Sequence, residues 1–215
     1  ERYFDLYKKI PQYQLLNFNM TLDEFKVIFY WEYFHRILAR LIGLFFLLFL
    51  IYFYFSKKIK QKHMKICYLI FSLIVLQGII GWYMVESGLS KDISVSHYRL
   101  SIHLITAIFI ISIIFWLIKN IFLKRDKNFF QLSYFNFPFQ FLILLIFIQI
   151  IFGAFVSGLD AGQIYQTWPM MGNTYFPNDL FFDDYRNLNN HSLVQFYHRN
   201  LAYMISIYVL LLSII

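Results

Sequence analysis

The sequence predicts an all-α fold: a polytopic membrane helical bundle with about five transmembrane helices. Three observations lead there. The 215-residue chain is 60% hydrophobic and 22% aromatic, with 27 Phe and 17 Tyr. Its apolar residues gather in five runs, about 36–55, 66–85, 98–118, 137–157 and 196–215. Each supplies roughly 20 residues, or about 30 Å of helix, the thickness of a bilayer's hydrocarbon core. Finally, the basic residues crowd into two short connections, Lys57, Lys58, Lys60, Lys62 and Lys65 in one and Lys119, Lys124, Arg125 and Lys127 in the other.

That distribution sets the orientation. The remaining connections are mixed or acidic, with Glu86, Lys91 and Asp92 in one and Asp160, Asp179, Asp183, Asp184 and Arg186 in the other. The positive-inside rule places the two Lys-rich loops in the cytoplasm or the mitochondrial matrix. The net charge of +7 is thereby accounted for without nucleic acid. Helices one, three and five then run inward from the outer side, and two and four return.

Three regions follow along the chain. Residues 1–31 form an outer-side segment, and residues 32–119 hold the first three transmembrane helices. Residues 120–215 hold the other two, joined by an outer loop at 158–194 and incomplete at the C-terminus. A connection of that length is more often a functional lid than a plain linker. Residue 1 opens a polar, aromatic stretch without an initiator Met, and Ile215 ends an apolar run without a polar flank. The chain therefore reads as a piece of a longer membrane protein. Cys67 is the only cysteine, so no internal disulfide or thiolate cluster can form.

The helix starts carry ionisable residues that hydrocarbon disfavours. His35, His103 and His198 fall in the first two turns of helices one, three and five, which enter from the same side, so they share a layer near the outer face. Imidazole is the commonest metal ligand and a usual axial ligand to haem iron. Arg36, Arg40, Arg99 and Arg199 accompany the histidines, where guanidinium groups can meet carboxylates such as haem propionates at the water boundary. Haem is favoured over zinc because no cysteine and few helix-borne carboxylates join the histidines. The plainer alternative is arginines snorkelling to headgroups and histidines hydrogen-bonded between helices. His97, His191 and His63 are expected to lie outside the site.

An internal repeat sharpens the reading. "EYFHRILAR" at 32–40 matches "QFYHRNLAY" at 195–203, and "LQGIIGWYMVESGL" at 76–89 matches "IQIIFGAFVSGL" at 148–159. Repeated sequence at corresponding depth suggests two related helical halves. Three residues before the histidine, the first half has Glu32 and the second Gln195. A carboxylate can move protons, whereas an amide only hydrogen-bonds. Chemistry is therefore expected in the first half and a structural or electron-carrying centre in the second. The alternative for Glu32 is a structural pair with Arg36, one turn on.

On these motifs, together with "EFKVIFYWEYFHRILARLIG", "SHYRLSIHLITA", "GAFVSGLDAGQIYQTWPMMG" and "VQFYHRNLAY", the chain resembles the haem A synthases, the Cox15/CtaA family. It is most similar to their cysteine-free kind, found in alphaproteobacteria and mitochondria. The resemblance implies a protein of two pseudo-symmetric four-helix halves in the bacterial inner (plasma) membrane or the mitochondrial inner membrane. It implies oxidation of the ring methyl of haem O to the formyl group of haem A, for cytochrome oxidase biogenesis. Carried over, His35 and His103 flank the substrate haem O, Glu32 is the carboxylate used in oxidation, and His198 ligates a b-type haem. Haem O and its synthase, an electron donor and the lipid bilayer are the implied partners, and a homo-oligomer is compatible. Asn173 departs from the family's acidic residue near the Met-Gly turn. Two other functions would use the same residues: a membrane b-type cytochrome that leaves its haem unmodified, and a haem carrier or assembly protein.

Overall fold

The computed structural model describes residues 1–89, 94–124, 128–129, 134–180 and 186–214, the side chains of 87–89 apart. Lys91, Asp92, Arg125, Lys127, Asp183 and Asp184 lie outside the described residues. Seven α-helices are named among the described residues: α1 Arg2–Tyr7, α2 Pro11–Leu15, α3 Leu22–Ser56, α4 Gln61–Leu89, α5 His97–Phe122, α6 Phe137–Gly158 and α7 His191–Ile214. Four segments among the described residues, Leu22–Ser56, Gln61–Glu86, His97–Phe122 and Tyr134–Gly158, are long and apolar enough to cross a membrane. α7 has the length, 24 residues. Its opening turns are diluted by His191, Gln195, His198, Arg199 and Asn200, so it does not join the four on apolarity.

The boundaries differ from the apolar runs for local reasons. α3 begins at Leu22 rather than near 36 because Thr21 and Glu24 form a capping box. Glu24 N donates to Thr21 Oγ1 at 3.3 Å, and Thr21 N donates to Glu24 Oε2 at 2.8 Å. Such a cap satisfies two of the N–H groups that a helix start leaves unpaired, a contribution of about 1 kcal/mol. His35 consequently stands 35 − 22 = 13 residues past the first residue of its helix, against six for His103 and seven for His198. At its other end α3 stops where Lys57 turns left-handed, with φ 51°.

The chain divides into two compact units, residues 1–95 with 106–127 and residues 96–105 with 128–215. In the first, α1 and α2 fold onto the start of α3 through aromatic rings. Phe4 lies 5.1 Å from Phe25 and 5.9 Å from Tyr13, and Tyr7 lies 5.1 Å from Phe25. α3 and α4 approach at Gly43, where a Cβ would sit 3.8 Å from Ile74, and Phe46 stacks on Phe71. Met64, Cys67 and Ile70 of α4 are buried, as is His63, and so are Ile110, Ile113 and Leu117 of α5.

In the second unit α6 and α7 are the main packing partners. Phe152 meets Tyr197 edge-on at 5.7 Å, Phe141 meets Tyr208 at 5.5 Å, and Tyr208 OH donates to Pro138 O at 3.0 Å. The opening turn of α5 crosses the end of α6 at Gly158, where a Cβ would fall 2.8 Å from His97 Cβ and 2.9 Å from its Cα. Only glycine permits that approach. His97 is buried there against Phe155, with ring centroids 5.0 Å apart.

Sidedness follows from the loops and is directly measurable. In a Cys67→Ser background, an impermeant thiol reagent applied to sealed, correctly oriented cells should label Asn187→Cys and spare Lys60→Cys. Labelling at position 60 would reverse the topology.

Candidate functional site

α7 starts where Asn190 Oδ1 accepts from Leu193 N at 3.0 Å, and its first turns bury Ser192, Leu193, Val194 and Gln195. Gln195, 3% exposed, is wholly committed to the connection from α6. Its Nε2 donates to Gly162 O at 3.2 Å and Tyr165 O at 3.0 Å, while its Oε1 accepts from Tyr165 N at 3.3 Å. One turn on, Arg199 Nη1 donates to Thr167 O at 2.8 Å, and its Nη2 donates to Tyr165 O. Two side chains of α7 thus take up backbone groups of Gly162, Tyr165 and Thr167.

The rest of the connection is built with similar economy. Gly172, at φ +79°, makes the tight turn that brings Met171 N to Thr174 O at 2.8 Å, and Thr167 Oγ1 accepts from Gly172 N at 2.8 Å. Met171 and Pro177 are buried, while Asn173 is exposed. Tyr165 OH and Ser192 Oγ donate to the two oxygens of Asp179, at 2.6 and 2.5 Å. Burial pushes the Asp179 carboxyl up, but the hydrogen bonds from Ser192 and Tyr165 outweigh it and leave its pKa below the ordinary value. Tyr165 moves the other way, raised by burial and by its bond to the Asp179 carboxylate.

Gln195→Glu tests this strap. The substitution is nearly isosteric, but a carboxylate would face the carbonyls of Gly162 and Tyr165 as acceptor against acceptor. Leaving such groups unsatisfied costs about 1–3 kcal/mol each. The variant should lose about that much stability and become sensitive to limited proteolysis within 162–180. Unchanged stability and proteolysis would show that the amide does not hold the strap.

His198 is half-buried and leans on α6. Gln149 Nε2 donates to His198 O at 3.2 Å and lies 3.5 Å from ring Nε2. A Cβ on Gly153 would stand 3.3 Å from His198 Cε1 and 3.9 Å from Nδ1, so the glycine makes room for the ring. His198 Nδ1 is buried without a hydrogen-bond partner among the described residues.

In the first unit, Glu32 and Arg36 form the i,i+4 ion pair named as the plainer alternative, with Arg36 Nη2 donating to Glu32 Oε1 at 2.5 Å. Both are about half exposed, and His35 and Arg40 on the same helix are exposed. Arg99 and His103 stand on the opening turns of α5, in the second unit, and are half-buried. Among the described residues, no group of three or more His, Cys, Asp or Glu side chains stands close enough to hold one metal ion.

Sequence reasoning did not single out Gln149 or Gly153.

The family model COX15-CtaA, cytochrome oxidase assembly protein, matches residues 1–215. The chain is 48% identical over 219 residues to a protein of Pelagibacter ubique named heme A synthase, covering 99% of this chain and 63% of that protein. It is 41% identical over 218 residues to the heme A synthase of Rickettsia bellii, covering 98% of this chain and 64% of that protein. The heme A synthase of Parvibaculum lavamentivorans is 40% identical over 205 residues, 94% of this chain and 59% of that protein. The chain thus spans about three fifths of the length of the curated relatives it matches. No solved structure matches it significantly. With four helices long and apolar enough to cross a membrane among its described residues, the protein is a multi-pass inner-membrane protein. By the match along its whole length, the chain belongs to the COX15-CtaA family of cytochrome oxidase assembly proteins.

Proposed function

We propose that the protein is a haem A synthase, a haem-dependent membrane oxidoreductase that converts the ring methyl of haem O to the formyl group of haem A. The observation that carries this is the family match over residues 1–215, within which the histidine–arginine pairs His35 with Arg36, His103 with Arg99 and His198 with Arg199 all fall. In this reading α7 is a fifth transmembrane helix, and residues 32–119 and 120–215 belong to two related halves.

The residues fit a b-type haem on the second half. His198 offers a buried ring nitrogen with no other partner, and Gly153 leaves beside the ring the space that a Cβ would fill. Haem supplies, when bound, the redox chemistry that side chains cannot. The protein's own part is to bind, orient and move protons. His35 and His103 bind the substrate haem O, and Arg36, Arg40, Arg99 and Arg199 orient propionates as cationic partners. With Glu32 Oε1 held by Arg36, Oε2 is the oxygen that takes up or releases a proton. An electron donor and the synthase of haem O are the partners this assignment calls for.

The full-length protein, expressed in cells that make haem O but no haem A, should convert haem O to haem A, read in extracted haems by chromatography and mass. Haem O alone beside a b-type spectrum would favour the plain cytochrome, and reversible release of unmodified haem would favour the carrier.

A further inference from the structure

His198 is held from a second helix as well as its own. Gln149 of α6 uses its Nε2 on the His198 carbonyl at 3.2 Å and keeps that amide 3.5 Å from ring Nε2. The amide's other end, Oε1, is buried and has no hydrogen-bond partner among the described residues, and the same holds for His198 Nδ1. An unused acceptor therefore sits on the side chain that touches a ring with an unused nitrogen. An imidazole that ligates iron through one nitrogen carries its proton on the other, and in metal sites that N–H regularly finds an acceptor. In an apolar helix interface, an N–H left without one costs free energy.

The geometry points to Gln149 as the positioning residue for His198: with Nδ1 as the ligating nitrogen the ring proton stands on Nε2, 3.5 Å from the amide, and turning that amide end for end exchanges its bond to His198 O for one in which Oε1 accepts the ring N–H. Gly153, one turn along the same face of α6, leaves room for the ring. The inference rests on the reading of His198 as an axial ligand of the b-type haem.

The test uses the full-length protein purified with its b-type haem and compares His198→Ala, Gln149→Met and Gln149→Glu. Haem affinity is measured by titration with haem b, ligand geometry by the low-spin electron paramagnetic resonance signal, and fold by circular dichroism and Tm. His198→Ala should abolish the low-spin signal. Gln149→Met should lower haem affinity roughly 10- to 100-fold, as losses of a ligand's supporting hydrogen bond do, and move the g-values while Tm stays at the parent value. Gln149→Glu keeps an acceptor at the same reach and should hold affinity near the parent. If Gln149→Met fails to fold, Gln149→Asn carries the same expectation, because one methylene less withdraws the amide from the ring. Parent affinity and g-values in the folded Met or Asn variant, with His198→Ala lacking the signal, would overturn the role of Gln149 and leave the ligand standing. A low-spin signal that survives His198→Ala would overturn the ligand assignment, and this inference with it.

Discussion

Glu32→Gln in the full-length protein should reduce formation of haem A about 10²- to 10⁴-fold, the usual cost of losing a well-placed acid or base. The structure makes the substitution interpretable. Glu32 Oε1 accepts from Arg36 Nη2 at 2.5 Å, and an amide oxygen at the same place can still accept that bond. Both partners are about half exposed, so the charge lost from the pair is worth at most about 1 kcal/mol. The variant should therefore fold, and the step that needs a titratable oxygen should fail. Cells carrying it should accumulate haem O or a partly oxidised haem. Haem A at the normal rate would return Glu32 to a structural pair with Arg36.

His198→Ala should remove the low-spin b-type signal altogether while the protein still inserts, folds and binds haem O. An axial ligand has no substitute in alanine, so the expected effect on that signal is loss rather than a shift. The helix pair should survive, since α6 and α7 are also joined by Phe152 with Tyr197, Phe141 with Tyr208, and the bond from Tyr208 OH to Pro138 O. Gln149 keeps its bond to the backbone carbonyl at 198, which the substitution does not touch. An unchanged spectrum would remove His198 from the haem.

The helices were legible because lipid demands long apolar runs, and four of the five expected runs lie in helices that meet length and apolarity together. Their ends were less so. The capping box at Thr21 and Glu24 starts α3 well before its apolar run, in a segment where charged residues interrupt the aromatic ones. α7 likewise opens at His191, five residues before the expected run, on the side chain of Asn190. Gln195 was read correctly as a residue that can only hydrogen-bond, but not what it bonds. Its partners, the backbone groups of Gly162 and Tyr165, lie about thirty residues away and carry no sequence signature. The same holds for Arg199, whose guanidinium meets the carbonyls of Thr167 and Tyr165. Gln149 was hidden for a different reason. A glutamine in an apolar helix is informative only when the histidine it supports is known to face it.

The division of labour between the halves is tested most directly by electron paramagnetic resonance of full-length Glu32→Gln protein, in the same membranes whose haems are extracted. The account predicts a b-type low-spin signal at parental intensity alongside haem O in place of haem A, because Glu32 serves the first half and His198 the second. Loss of that signal together with the product would contradict it, by making Glu32 a residue on which the whole protein's structure depends.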